Sequence, residues 1–167
     1  MIKLYYLKAT PHRYTFQSKK LKRFIEKRCK GKVLNLFAGK TLLNCDETRV
    51  DIDPEMPADY HMDAEEYLKM AVEKDLKFDT VILDPPWNYR KAREKYNGRW
   101  IGKFTKIKKL YIPKILNPNA LVMTLGYNSG GIGLPEFKKI EIALIYFGGD
   151  LNDAIITVEK YRGDGDA

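Results

Sequence analysis

Several things this sequence lacks narrow its class before any motif is read. No apolar run approaches the roughly 20 residues that a membrane span needs. The opening MIKLYYLKATPHR has neither the long apolar centre nor the small-residue cleavage site of a secretory leader. Only two cysteines occur, Cys29 and Cys45; they form no metal-ligand spacing and suggest no disulfide framework, which fits a reduced protein of the cytoplasm. Internal repeats, low-complexity tracts and dividing linkers are also missing, so residues 1–167 read as a single domain without a metal site. What is present is 44% hydrophobic and 12% aromatic sequence, enough for a packed core and too apolar for disorder.

Charge is distributed unevenly. The net value is +8, yet residues 1–32 carry eleven Lys/Arg and one acid, and residues 88–114 carry ten and one. Between them, residues 33–87 hold five basic and thirteen acidic residues. Two basic segments, a lead-in with a helix at 1–31 and a second at 88–114, thus flank an acidic middle. That pattern suits a polyanion held beside a pocket for something cationic.

The order of elements is legible from periodicity. SKKLKRFIEKRC (18–29) is an amphipathic helix with Ser18 as N-cap, and AEEYLKMAVEKDL (64–76) is a second helix. Strands are predicted at KVLNLF (32–37), TRVDI (48–52), ADYHM (58–62), FDTVILD (78–84) and ALVMTL (120–125). A closing hairpin follows from KIEIALIYF (139–147) and AIITVEKY (154–161). TKIKKLYIPKIL (105–116) reads as part loop, part helix. Strands alternating with helices define an α/β fold with a mostly parallel sheet, whose ligands bind beyond the carboxyl ends of the strands.

At those ends stand Asn35-Leu36-Phe37-Ala38-Gly39, Asp51-Ile52-Asp53, Met62-Asp63, Asp84-Pro85-Pro86-Trp87 and Gly126-Tyr127-Asn128. Gly39-Lys40-Thr41 imitates a phosphate loop, but the glycine required five positions earlier is Leu34, so the wrapping amides are missing. Gly39 still permits a tight turn and close backbone approach to a ligand. Asp51 is placed to accept from ribose hydroxyls, and Asp63 from an adenine amino group. His12 and His61 receive no role beyond a turn or the core.

Asp84-Pro85-Pro86-Trp87 carries the chemistry. Neither proline has an N–H and each fixes its own φ, so the chain leaves the strand stiff with its carbonyls unclaimed. A carboxylate and a proline carbonyl become two fixed acceptors beside a flat aromatic ring. Such a site fits a planar group bearing an NH2, stacked on Trp87 and donating both hydrogens. The exocyclic amine of adenine or cytosine is a poor nucleophile because its lone pair is delocalised. Two acceptors favour a pyramidal nitrogen, and the work is then positioning and electrostatics.

These residues resemble the S-adenosylmethionine-dependent amino-methyltransferases that act on adenine N6 or cytosine N4. DPPW matches their [D/N/S]-P-P-[Y/F/W] motif, and NLFAG resembles their first motif, D-x-F-x-G-x-G. The lead-in ATPHRYTFQSKKLKRFIEK resembles the segment and helix that precede it. The resemblance implies a Rossmann-like class I methyltransferase fold, a seven-stranded mostly parallel sheet closed by an antiparallel hairpin. It implies S-adenosylmethionine as cofactor, contacted by Asn35, Phe37, Ala38, Gly39, Asp51 and Asp63, with Asp84, Pro85, Pro86 and Trp87 catalytic. This chain departs from the family at Asn35, where an acid is usual, at Lys40-Thr41, where a second glycine is expected, and in a short connection after Gly39 that curtails the cofactor-side helix. It also has no room for a sequence-reading domain, which leaves specificity to substrate shape, short loops or a protein partner.

The segment NYRKAREKYNGRWIGKFTKIKK interleaves cations with aromatics, as single-stranded nucleic acid requires. Tyr89, Arg90, Arg93, Arg99 and Trp100 are its candidate substrate contacts. The expected reaction is methyl transfer to an exocyclic base amine, with RNA such as ribosomal RNA favoured over DNA because structured RNA is recognised by shape. DNA amino-methylation is the runner-up. Protein glutamine methylation fits less well with Asp84, Trp87 and the charge pattern. A catalytically silent RNA-binding subunit is the reading from a different class.

Overall fold

The computed structural model describes residues 1–85, 100–149 and 151–163, with the side chains of 100–102 excepted. Eight strands form one sheet: β1 (Lys3–Lys8), β2 (Val33–Asn35), β3 (Glu47–Asp51), β4 (Tyr60–His61), β5 (Phe78–Leu83), β6 (Leu116–Gly126), β7 (Phe137–Tyr146) and β8 (Ala154–Tyr161). Their spatial order is β1-β7-β8-β6-β5-β2-β3-β4. All pairings are parallel except those of β8, which runs antiparallel to both β6 and β7. The seven expected strands are all present, including the closing hairpin. The eighth, β1, is the addition: KLYYLK lies beside β7 as an edge strand. It turns Leu4 and Tyr6 outward, 77% and 65% exposed, so its apolar residues do not mark one buried face. Lysines at both ends suit an edge that must not pair further.

Three α-helices are described: α1 (Lys19–Glu26), α2 (Ala64–Glu73) and α3 (Trp100–Lys106). Ser18 caps α1 by accepting the Leu21 amide, and Asp63 caps α2 by accepting the amides of Glu65 and Glu66 at 3.0 and 3.2 Å. Past α3 the chain widens into a π turn, Ile107–Tyr111, and then tightens into a 3-10 turn ending at Ile115, where a mixture of loop and helix was expected. Pro113 lies in that last turn, where its missing N–H is compatible with a helix start but not with continuation of α3.

The sheet separates two cores. On one face α2 and the turns after α3 pack Tyr67, Leu68, Ile107, Ile112 and Ile115 against Leu34, Val81, Leu83 and Val122. On the other, α1 packs Leu21, Phe24 and Ile25 against Val33, Ile82, Met123, Ile145 and Ile156. Burial of such side chains contributes about 1.5–3 kcal/mol each, and the alternation of faces along β5 and β6 fixes their register. The carboxyl ends of β2, β3 and β5 are thereby held side by side.

Candidate active site

The connection from β2 to the parallel strand β3 spans only residues 36–46 and contains no helix. Parallel crossovers normally need a helix to return the chain. Here three side chains of β3 take its place. Glu47, Arg49 and Asp51 alternate along the strand and therefore share one side of it. Arg49, only 5% exposed, donates to the carbonyls of Ala38 at 3.2 Å, Gly39 at 2.7 Å and Thr41 at 2.9 Å. Asp51 accepts the Gly39 amide at 2.8 Å, and Glu47 accepts the Leu43 amide at 2.6 Å. Gly39 sits at φ +65°, a left-handed turn that a side chain would strain. The short connection expected from the sequence is thus present and held rigidly.

The surroundings of Asn35 suit an amide better than an acid. Its amide Nδ2 donates at 3.0 Å to Glu47 Oε1, which also pairs with Arg49 at 2.9 Å. A carboxylate at position 35 would instead face a buried carboxylate. Asn35 is fully buried beneath the loop and belongs to its support.

Above the loop lies a cavity of about 590 Å3, a size typical of small-molecule sites. Phe37, Ala38, Gly39, Asp51, Asp84 and Pro85 all line it, so six of the candidate residues meet in one space. Asn35 and Asp63 do not line it. Asp63 is engaged elsewhere: besides capping α2 it forms an ion pair with Lys103 of α3, and Phe104 meets Phe37 edge-on at 6.3 Å. Pro86, Trp87, Tyr89, Arg90, Arg93 and Arg99 lie outside the described residues. Trp100 begins α3, but its side chain lies outside them too.

Other lining residues were not assigned from sequence. Asp53 adds a second carboxylate at the end of β3, and its amide binds Asp51 Oδ1 at 2.9 Å. Thr10–Phe16 form a wall between β1 and α1, which brings His12, Arg13 and Tyr14 to the rim. Tyr127 enters from the end of β6, and Phe147, Leu151 and Asn152 from the β7–β8 connection. The one signal for Arg49 was the period-two alternation of charge in Glu47, Arg49 and Asp51 on a strand that should be buried.

Carboxylates, apolar side chains and backbone from a tight glycine turn are the donor set an adenosine bearing a cationic chain requires. Asp51 and Asp53 supply acceptors for hydroxyls, Ile52, Met56 and Met62 supply apolar contact, and the acids favour positive charge. S-adenosylmethionine fits this set.

The sheet order and the single antiparallel strand β8 define the Rossmann-like fold of class I methyltransferases. Solved structures share it. SMU.776, provisionally assigned as a methyltransferase and complexed with SAH, gives a TM-score of 0.60 at 15% identity over 85% of this chain and 48% of its own. TrmN from Thermus thermophilus gives 0.57 at 13% identity over 86% and 49%. A provisionally assigned SAM-dependent methyltransferase from Streptococcus mutans gives 0.57 at 15% identity over 84% and 48%. The chain therefore spans about half the length of these structures. No protein-family model matches the sequence, and no curated protein matches it.

Proposed function

We propose that the protein transfers the methyl group of S-adenosylmethionine to an exocyclic amine of a nucleic-acid base, adenine N6 or cytosine N4. The observation that carries this reading is the sharing of one cavity. Asp84 and Pro85 leave β5 into the same space that Asp51 and Gly39 line, so an amine acceptor and a nucleoside-type pocket adjoin. Support for the cofactor also comes from SMU.776, whose structure of this fold is complexed with SAH.

When bound, the sulfonium cofactor supplies an electrophilic methyl group. Phe37, Ala38, Gly39 and Asp51 hold its nucleoside, with Asp53 beside them. The Asp84 carboxylate and the carbonyl of Pro85 each accept one hydrogen of the target amine, which orients the nitrogen lone pair and stabilises the positive charge developing on that nitrogen. Pro86 keeps the exit stiff, and Trp87 stacks on the base. Tyr89, Arg90, Arg93, Arg99 and Trp100 hold the strand that carries it, and the base is unpaired or flipped to reach the site. RNA is favoured over DNA because folded RNA offers shape for recognition. A protein partner could add further specificity.

The experiment is methyl transfer from labelled S-adenosylmethionine to total RNA and genomic DNA in parallel, followed by digestion to nucleosides and mass analysis. N6-methyladenosine or N4-methylcytidine in one polymer supports the reading and names the substrate. Label in a ring carbon or in protein contradicts it. The helix-free connection after β2 favours one second reading, a silent RNA-binding subunit, whose mark would be RNA binding without cofactor binding.

A further inference from the structure

The exposed cations of α1 are not used by the site described above. Leu21, Phe24 and Ile25 turn into the core, while Lys19, Lys20, Arg23 and Lys27 are exposed on the opposite side. Among the described residues these four make no ion pair; Glu26, the one acid of the helix, is engaged by Lys22 at 3.1 Å and by the Asn44 amide at 2.5 Å. Lys19 and Lys20 stand in the first turn, where the helix dipole disfavours positive charge and where the helix carries no acid. They are therefore unfavourable for the helix itself, which points to an anion outside it.

Position gives that anion a path. Ser18 and Leu21 line the cavity, so the N-terminal end of α1, from which the basic stripe runs, adjoins it. Lys19 to Lys27 spans about 12 Å at the rise of a helix. The sheet lies between α1 and α3, since their apolar faces enter different cores. The basic residues of α1 and of α3 thus stand on opposite sides of the sheet. A membrane is a poor occupant, because the apolar face of α1 is already buried.

We infer that the exposed face of α1 is a second phosphate-binding surface, which carries the single-stranded backbone of the substrate on the side of the sheet opposite to α3. This rests on the proposed nucleic-acid substrate. An acidic protein would present carboxylates in place of a continuous phosphate backbone, and the test separates the two.

The test replaces Lys19, Lys20, Arg23 and Lys27 together by Gln in the full chain. Binding of a mixed-sequence single-stranded RNA oligonucleotide is measured over a range of salt, alongside SAH affinity and thermal midpoint. Each lost phosphate contact should lower the salt slope by about 0.7, so the variant should lose about 2–3 in slope. SAH affinity should be unchanged, and the midpoint unchanged or raised because the first turn loses its repulsion with the dipole. A control set on other surfaces, Lys3, Lys74, Lys138 and Lys160 changed to Gln, should leave the slope as in the parent. An unchanged slope in the α1 variant, or an equal fall in both sets, would overturn the inference while leaving the proposed substrate class intact. A parent chain that binds SAH but no oligonucleotide would overturn both. Retention of polyglutamate in preference to the oligonucleotide would replace the backbone by an acidic protein partner.

Discussion

Asp51 Oδ2 accepts the amide of Gly39 at 2.8 Å, joining the end of one strand to the turn that follows its neighbour. The second oxygen accepts the Asp53 amide at 2.9 Å. The carboxylate shapes the cavity as well as lining it. Changing Asp51 to Asn keeps the volume and leaves one acceptor where there were two. SAH affinity should fall by roughly 10- to 100-fold, the equivalent of about 1–3 kcal/mol for amides left without their partner. Calorimetric titration reads this directly, and an unchanged affinity would remove Asp51 from the cofactor site.

Asn35 offers an unusual prediction, because placing an acid at that position should harm this chain. Asn35→Asp would set a second carboxylate against Glu47 inside the core, and Glu47 would lose the donor it receives at 3.0 Å. Denaturant unfolding should show a loss of about 1–3 kcal/mol, the cost of a buried polar group deprived of its partner. A gain in stability would mean that the Asn35–Glu47 contact does not support the loop.

Arg49 should be the costliest of these side chains. Arg49→Met leaves Glu47 buried without its cation and three loop carbonyls without donors. A loss of about 3–5 kcal/mol is expected from an uncompensated buried charge, together with weaker SAH binding. Arg49→Lys should recover part of the stability but less of the affinity, since an ammonium cannot reach every carbonyl that the planar guanidinium serves. Equal recovery of both would show that charge alone matters.

Asp84 should separate catalysis from binding. Asp84→Ala is expected to lower methyl transfer by at least about 100-fold, a typical effect of losing a preorganised polar group at the reacting atoms. SAH affinity should remain within about 2-fold, because Asp84 serves the amine. Loss of both would place Asp84 on the cofactor side of the cavity.

Glu159, on β8, gives a prediction about pH. It is 1% exposed; burial raises its pKa above the ordinary 4.5, against the Ile132 amide, Lys139 and Lys108, which act to lower it. The folded state holds this proton more tightly than the unfolded chain, so its contribution is fully present below pH 4.5 and is lost as pH rises through the raised value. Glu159→Gln keeps an acceptor for the Ile132 amide and cannot ionise. Relative to the parent, the variant should therefore gain stability as pH rises from 4 to 7. A pH-independent difference in urea unfolding would contradict the shift.

Much of this was legible because the central strands are short Val/Ile/Leu runs that end in chemistry-bearing residues. VILD and TRVDI place Asp84 and Asp51 at the carboxyl ends of two strands of a parallel sheet, which β2 separates. Less visible was β1, whose Leu4 and Tyr6 face outward beside lysines and so leave no continuous apolar run. Thr10–Phe16 has no period at all, and only the meeting of β1 and α1 around it turns His12 and Arg13 into a rim. Asp63 reads as a strand-end acceptor, yet its partner Lys103 stands 40 residues further on. Arg49 reads as a strand interior, because its purpose lies in a loop that should have been a helix.

The most direct measurement is a calorimetric titration of SAH into the purified chain, since the cavity has to form on a connection with no helix. One-to-one binding that weakens in Asp51→Asn and persists in Asp84→Ala is the expected result. No binding by the parent chain, with the fold intact by circular dichroism, would contradict the cofactor site and the methyl transfer that depends on it.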